Sequence, residues 1–350
     1  MNTEILRPTS SAGFARAAAI IRSGALVAFP TETVYGLGAN GLDAAACARI
    51  YAAKGRPSDN PLILHIADLS MAYEIARKVP PTAAHLLTAF APGPLTVILP
   101  KAAHIPDIVT GELSTVGVRC PDHDVARRLI RAAGLPIAAP SANTSGRPSP
   151  TTAAMVYADM EGRIPLILDG GSCRLGVEST IVDCTEEGVV TILRPGAVTR
   201  EMIAAELPHV EVQMDAALTA EDAAPRAPGM KYTHYAPRVP LTVYVGAGAD
   251  VTAALREEFL RRTAAGEIPA LIASNETIAA LSDIIHADDT YHCGARGNHS
   301  AFASCLYDAL RHFDDMPVTS LLAEGTAAVG LGTAIMNRLR KASGGDIRFV

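Results

Sequence analysis

A two-domain α/β architecture is predicted for this chain by three observations. Its 350 residues exceed the ~250–300 at which a single hydrophobic core stops growing. Short apolar, strand-like runs alternate with amphipathic stretches almost from the start. That rhythm fails between residues 206 and 240 and resumes at Leu241. With 49% apolar and 19% charged residues, the composition is that of an ordinary folded protein. Trp is absent and aromatic residues make up 5%, so the cores must rest on Val, Ile, Leu and Ala.

The elements follow in order. Ser10 or Ser11 is placed to cap a helix whose Phe14, Ala17, Ala18 and Ile21 share a face, with Gly24 ending it. Ala25–Phe29 reads as an apolar strand closed by Pro30, and Asp43 caps a second helix running to about Lys54. Further strands are predicted at Leu62–Ile66, Leu95–Leu99, Val116–Arg119, Pro136–Ala139, Leu166–Leu168, Thr180–Val182 and Val189–Leu193, with a helix at Val125–Ala133 among them. This mixture describes a first domain, residues 1–205, built on a twisted, partly parallel sheet.

Residues 206–240 read as a linker. Asp215–Pro228 is rich in Ala, acids and Pro. The following Pro228-Gly-Met-Lys-Tyr-Thr-His-Tyr-Ala-Pro237 offers donors and stacking faces in Lys231, His234 and Tyr235, and is expected to return to the first domain's cleft. Residues 241–350 form a second α/β domain of ordinary size. Its strands are predicted at Leu241–Val245, Ala270–Ala273 and Thr319–Leu322. Its helices begin near Asp250, after Asn298 and near Ala334, and the Asn298-capped helix aligns Phe302, Leu306, Leu310 and Phe313.

Charge and cysteines narrow the function classes. A net charge of −6 argues against a protein that coats nucleic acid by electrostatics alone. The six cysteines are scattered without a CxxC, and Cys120-Pro-Asp-His123 has no second ligand pair, so no protein-held metal is expected. Residues Met1 to Pro8 show no secretory apolar core and no run approaches a membrane span, so a cytoplasmic protein is expected.

Some glycine motifs mislead. Gly36-Leu-Gly38-Ala-Asn-Gly41 matches GxGxxG, but Pro30–Tyr35 separates it from its strand, whereas a dinucleotide fingerprint needs the strand to run into the first glycine. Gly246-Ala-Gly248 lacks the third glycine. Packing turns account for both.

The polar groups at strand ends carry more. Lys54-Gly-Arg56-Pro57 is expected to be extended, because Pro57 disfavours helix at Arg56; residues two apart then point the same way and converge on one anion. Asn60 and His65 flank the next strand. Ala139-Pro-Ser141-Ala-Asn143-Thr-Ser-Gly146 clusters hydroxyls and an amide where α/β proteins present ligand groups. Ser114-Thr115-Val-Gly-Val-Arg119, Gly176-Val-Glu-Ser179-Thr180 and Leu193-Arg194-Pro195-Gly196 repeat the pattern. Such edges describe a site for an anionic ligand.

Taken together, these motifs resemble the YrdC-type threonylcarbamoyl-adenylate synthases in their longer, two-domain form. The resemblance rests on Pro30-Thr-Glu-Thr-Val-Tyr-Gly-Leu37, Lys54-Gly-Arg56-Pro57, Asn60-Pro-Leu-Ile-Leu-His65, Pro92-Gly-Pro-Leu-Thr96, Ser114–Arg119, Ser141-Ala-Asn143, Gly176–Asp183 and Arg194-Pro-Gly196. The stretch Gly229 to Pro237 resembles the segment that covers the active site in the long form. One departure is Ala91, where the family often has Trp. The fold implied is a YrdC-like twisted open sheet with helices, joined to a smaller Rossmann-like α/β domain.

The reaction implied joins L-threonine, bicarbonate and ATP into threonylcarbamoyl-AMP and pyrophosphate. Its product would pass to a transferase complex that modifies tRNA adenosine, with at most a weak tRNA contact. Lys54 and Arg56 would steady the phosphate and carbamate charges. ATP contacts carried over are Arg56, Asn60, Thr115, Ser141, Asn143, Ser149, Arg194 and Tyr235. Threonine contacts are Thr33, His65, Arg119, Ala139 and Ser179, with Arg119 and Ser179 on its carboxylate. Mg2+ would arrive with ATP. Two rivals remain: an RNA-binding module without ATP turnover, and a carbamoyl-transfer or hydrolytic relative on the same fold.

Overall fold

A computed structural model describes residues 2–218 and 235–350, which divide into two compact units. The first unit comprises the described residues up to Ser145 and from Ser149 onward to Leu218, and the second comprises Gly146–Pro148 with residues from Tyr235 to Val350.

The first unit is built on an 11-stranded mixed sheet. Its strands are β1 (Glu4–Leu6), β2 (Val27–Phe29), β3 (Gly36–Asn40), β4 (Ile63–His65), β5 (Leu95–Pro100) and β6 (Thr115–Arg119), followed by β7 (Ile137–Ala138), β8 (Leu166–Leu168), β9 (Thr180–Asp183), β10 (Val189–Arg194) and β11 (Glu211–Met214). Their order is β1-β8-β2-β3-β7-β4-β6-β5-β9-β10-β11. Parallel pairs such as β4 with β6 and β5 with β9 alternate with antiparallel ones such as β5 with β6.

The first helix, Ser11–Arg22, buries the expected Phe14, Ala17, Ala18 and Ile21. With helix Asp124–Ala133 it covers Val27, Phe29, Leu166 and Leu168. Helices Ala44–Lys54, Pro81–Phe90 and Ala153–Met160 cover a larger core on Leu37, Leu64, Val97 and Val118. Asp43 caps the second helix by accepting from the Ala45 and Ala46 amides, as its position in the sequence suggests.

Three sequence expectations are corrected here. Gly36–Asn40 is a central strand, antiparallel to β2 and β7, rather than a packing turn. A Cβ at Gly38 would lie 2.8 Å from both the Phe29 ring and Ile137, so glycine lets that ring cross the strand. Regular structure also continues past residue 205: Arg200–Glu206 is helical, and β11 adds to β10 in parallel. Lys54-Gly-Arg56 is not extended, because Lys54 ends a helix and Gly55 caps it at φ 63°.

The second unit carries an all-parallel sheet of β12 (Leu241–Val245), β13 (Pro269–Ala273), β14 (Thr290–His292), β15 (Ser320–Glu324) and β16 (Ile347–Phe349), ordered β14-β13-β15-β12-β16. It is Rossmann-like in layering, but β15 stands between β12 and β13, unlike the order 3-2-1-4-5. Helix His299–His312, capped by Asn298, buries Phe302, Leu306 and Leu310, and Phe313 follows it into the core. Beyond β12, a Cβ at Gly248 would lie 2.3 Å from Arg296 Nη1. That arginine is held by Glu324 at 2.9 Å and by the Thr277 hydroxyl at 2.6 Å.

Candidate active site

Side chains alternate across a strand, and on the middle strands of the large sheet this divides an apolar face from a polar one. Leu62, Leu64, Leu95, Val97, Leu99, Val116 and Val118 enter the large core. The alternate set faces the other way, where Ile63, Ile98, Ile181 and Leu193 form a small cluster of their own. On those same strands lie His65, Thr96, Thr115 and Arg119. Gly117 sits at the centre, where a Cβ would lie 3.3 Å from Thr96 and 3.5 Å from Ile63 and Ile98. Its missing side chain keeps the floor of this face low.

At one end of the face, register pairs His65 with Arg119 across β4 and β6. His65 is buried and its Nδ1 lies 3.2 Å from the Ile63 carbonyl oxygen. Burial, with the Arg119 charge adding to it, pushes the imidazole down to about 3, so it is neutral at physiological pH. Arg119 donates from Nε to the Gly93 carbonyl at 3.4 Å and places Nη2 2.8 Å from Glu32 Oε2. That second contact is an ion pair off hydrogen-bond alignment.

Glu32 lies in the β2–β3 connection, which local hydroxyls shape. Thr31 Oγ1 accepts from the Thr33 and Val34 amides, each at 3.2 Å, and donates to the Val34 carbonyl at 2.7 Å. Its single proton is thereby used, so the buried Thr33 hydroxyl donates to it over 2.8 Å. Ala139, one residue past β7, spends its amide on the Ile63 carbonyl at 2.9 Å.

Nearby, the Lys54 ammonium is buried and donates to the carbonyl oxygens of Ser141, at 2.6 Å, and Asn143. Ser141 Oγ in turn donates to Asn143 Oδ1 at 2.5 Å, and the Ser145 amide returns to the Lys54 carbonyl at 2.9 Å. Arg56 grips different groups, the carbonyls of Asn60 at 3.3 Å and Pro61 at 3.1 Å. The Asn60 side-chain amide is buried with neither its oxygen nor its nitrogen hydrogen-bonded, an unfilled polar group of the kind that waits for a partner. Thr115 opens β6, two residues before Gly117, which pairs with Ile63 on β4.

Across the face, Ser179 Oγ lies 2.8 Å from Thr96 Oγ1. Arg194, at the end of β10, donates to the Ser179 carbonyl at 3.1 Å and hydroxyl at 3.2 Å. Ser149 Oγ donates to Glu178 Oε1 at 2.6 Å. Arg119 and Ser179, both expected on the threonine carboxylate, have separate partners in the protein, with β5 standing between β6 and β9 in the strand order.

The structure thus brings Lys54 against Ser141 and Asn143, Arg56 against Asn60, His65 beside Arg119, and Ser179 against Arg194. Tyr235 belongs to the second unit, where it stacks on Tyr307 with centroids 5.1 Å apart. Lys231 and His234 lie outside the described residues. Sequence reasoning quoted Glu32, Thr96 and Glu178 within motifs but gave them no role. An acid between two threonines at a strand end was the signal that could have found Glu32.

Fold and face define a class: a two-unit α/β protein whose mixed sheet gathers cations, hydroxyls and an amide around a place for anionic ligands. Comparison with known proteins goes further. Residues 19–196 match the Sua5, YciO and YrdC family model, described as telomere recombination, and residues 198–344 match the threonylcarbamoyl-AMP synthase C-terminal domain. The chain belongs to this family. It is 45% identical over 340 residues to the threonylcarbamoyl-AMP synthase of Bacillus subtilis, covering 97% of this chain and 95% of that one. It is 46% identical over 328 residues to the synthase of Pyrococcus abyssi, covering 94% and 93%. The crystal structure of P. abyssi Sua5 complexed with L-threonine matches with a TM-score of 0.91 at 43% identity, covering 100% of this chain and 99% of that one. Among the described residues no helix is long and apolar enough to cross a membrane.

Proposed function

We propose that the chain condenses L-threonine, bicarbonate-derived CO2 and ATP into threonylcarbamoyl-AMP, releasing pyrophosphate, for modification of tRNA adenosine. The supporting observation is the set of buried cations, Arg119 and Arg194 at strand ends of one sheet and Lys54 at the end of the helix Ala44–Lys54, with Arg56 two residues beyond Lys54. Buried cations at such a site are suited to charge developing on phosphate and carbamate. The relatives of nearly full length carry the name of this activity.

In this reading the amine of threonine takes up CO2 and the carbamate oxygen attacks the α-phosphate of ATP, with pyrophosphate leaving. No protein nucleophile is required; the residues position and neutralise. Arg119, with its planar guanidinium, holds the threonine carboxylate, and Thr33, neutral His65, Ala139 and Ser179 complete the amino-acid pocket. Asn60, whose amide is unspent, joins Thr115, Ser141, Asn143, Ser149 and Arg194 on ATP. Lys54 and Arg56 steady the reacting charges.

Mg2+ belongs to this proposal only as part of the ATP complex. Hydroxyl, amide and cationic groups dominate the donor set, and among the described residues no group of three or more His, Cys, Asp or Glu stands together. Such a set fits phosphate oxygens and does not fit a protein-held divalent ion, which phosphates and water would coordinate instead. Transfer of the product to a tRNA-modifying complex is part of the same proposal.

The test is pyrophosphate release from ATP with threonine and bicarbonate, each omitted in turn. All three should be required; release that ignores threonine would overturn the reading.

A further inference from the structure

Glu32 is the one carboxylate of the β2–β3 connection, and its environment is unusual. It is 2% exposed, and neither side-chain oxygen accepts a hydrogen bond. An ionised carboxylate offers about four lone-pair positions, and burying it without donors is costly. The adjacent Arg119 supplies charge at 2.8 Å, but its Nη2 is also without an aligned acceptor. The other titratable groups facing Glu32 are His123, Cys120 and Cys173. Burial pushes the imidazole of His123 down and both thiols up, so all three are held in their neutral forms. His123 Nδ1 is likewise unpartnered. One anion and one cation therefore stand side by side, each with hydrogen-bonding capacity left over.

A free α-amino acid carries the complementary pair. Its carboxylate can take the open side of the Arg119 fork, and its ammonium brings three N–H donors, the group that Glu32 lacks. We propose that Glu32 is the counter-charge for the ammonium of the amino-acid substrate, and that the Glu32–Arg119 pair selects a zwitterion over a simple hydroxy acid. This rests on the reading that Arg119 holds the threonine carboxylate. Thr33, one residue on, is fully buried within the same connection, which places Glu32 beside that pocket.

The experiment measures binding to the full-length protein by calorimetry, without ATP, using two probes: L-threonine and 2,3-dihydroxybutanoate, in which a hydroxyl replaces the amine. The wild-type protein should prefer threonine by tenfold or more. Glu32→Gln keeps the shape, removes the charge and should reduce that preference to about twofold, with ATP affinity unchanged. Glu32→Asp, keeping the charge on a shorter stem, should retain the preference at lower affinity. A wild-type protein that binds both probes equally overturns the proposal, even if E32Q cannot be recovered folded. If E32Q keeps the wild-type preference while Arg119→Lys loses threonine, the Glu32 assignment fails and the pocket stands. If neither variant changes threonine binding, the pocket reading fails with it.

Discussion

The Lys54 ammonium and the Ser141 carbonyl oxygen, 87 residues apart in sequence, are joined by a 2.6 Å hydrogen bond. This bond clamps the end of helix Ala44–Lys54 to the loop after β7, and it does so with a buried charge. Charge-assisted bonds of this kind are stronger than neutral ones, and removing one partner leaves the other desolvated and unpaired.

Lys54→Met should therefore act on both stability and turnover. Chemical denaturation is expected to show a loss of about 2–4 kcal/mol, and pyrophosphate release should fall by about 100-fold or more. Wild-type turnover in a folded K54M protein would remove Lys54 from the site.

Arg56→Ala and Cys293→Ala make a contrasting pair. Arg56 grips the carbonyls of Asn60 and Pro61 and stands beside the unspent Asn60 amide, so R56A should lower kcat by about 100-fold. Cys293 is a buried thiol of the second unit with no part in the proposed chemistry, and C293A should leave kcat of the folded protein within about twofold. Equal steady-state rates in the two variants would contradict this map.

His65 predicts a pH signature in stability. Its imidazole is held down to about 3 in the folded protein, against about 6.5 in an unfolded chain. The unfolded state binds the extra proton between those values, so stability falls as pH drops from about 6.5 toward 3, by up to about 1.4 kcal/mol per pH unit. Above 6.5 the contribution is complete and constant. His65→Leu should flatten the slope in denaturation curves collected from pH 7 to pH 4; an unchanged slope would mean that His65 titrates normally.

Gly196 follows Arg194-Pro195, and a Cβ there would lie 2.4 Å from the Thr180 amide nitrogen and 2.8 Å from the Glu178 carbonyl. Both are backbone atoms that cannot swing aside. Gly196→Ala should push apart the strand ends that carry Ser179 and Arg194, costing about 1–3 kcal/mol. Thermal unfolding should show a lower Tm, with weakened ATP binding in the protein that remains folded.

Much of this was legible in the sequence, for reasons that differ by element. The helices starting after Ser10, Asp43 and Asn298 declare themselves through periodicity and their places before it, and all three form. β3 was missed because Gly-Leu-Gly-Ala-Asn carries no β-branched residue; its strand character comes from the neighbours that pair with it. β11, Glu-Val-Gln-Met, is a short edge strand inside an otherwise irregular stretch. The convergence expected of Lys54 and Arg56 assumed extended chain, whereas the helix runs on to Lys54 and a left-handed Gly55 turns the chain. The site residues were marked by polar groups at the ends of apolar runs. Their partners were not, since pairs such as Glu32 with Arg119 depend on which strands lie side by side.

Arg296, seated over Gly248 at the head of the long helix Gly248–Ala264, bears on how the second unit exists without help. In dinucleotide-binding folds that position receives a pyrophosphate, and the protein relies on the visitor to occupy it. Here a side chain is the permanent tenant, anchored by Glu324. The Gly246-Ala-Gly248 turn has thus been turned from a docking berth into a piece of internal scaffolding, and a nicotinamide or flavin cofactor would have to evict the protein's own arginine to enter.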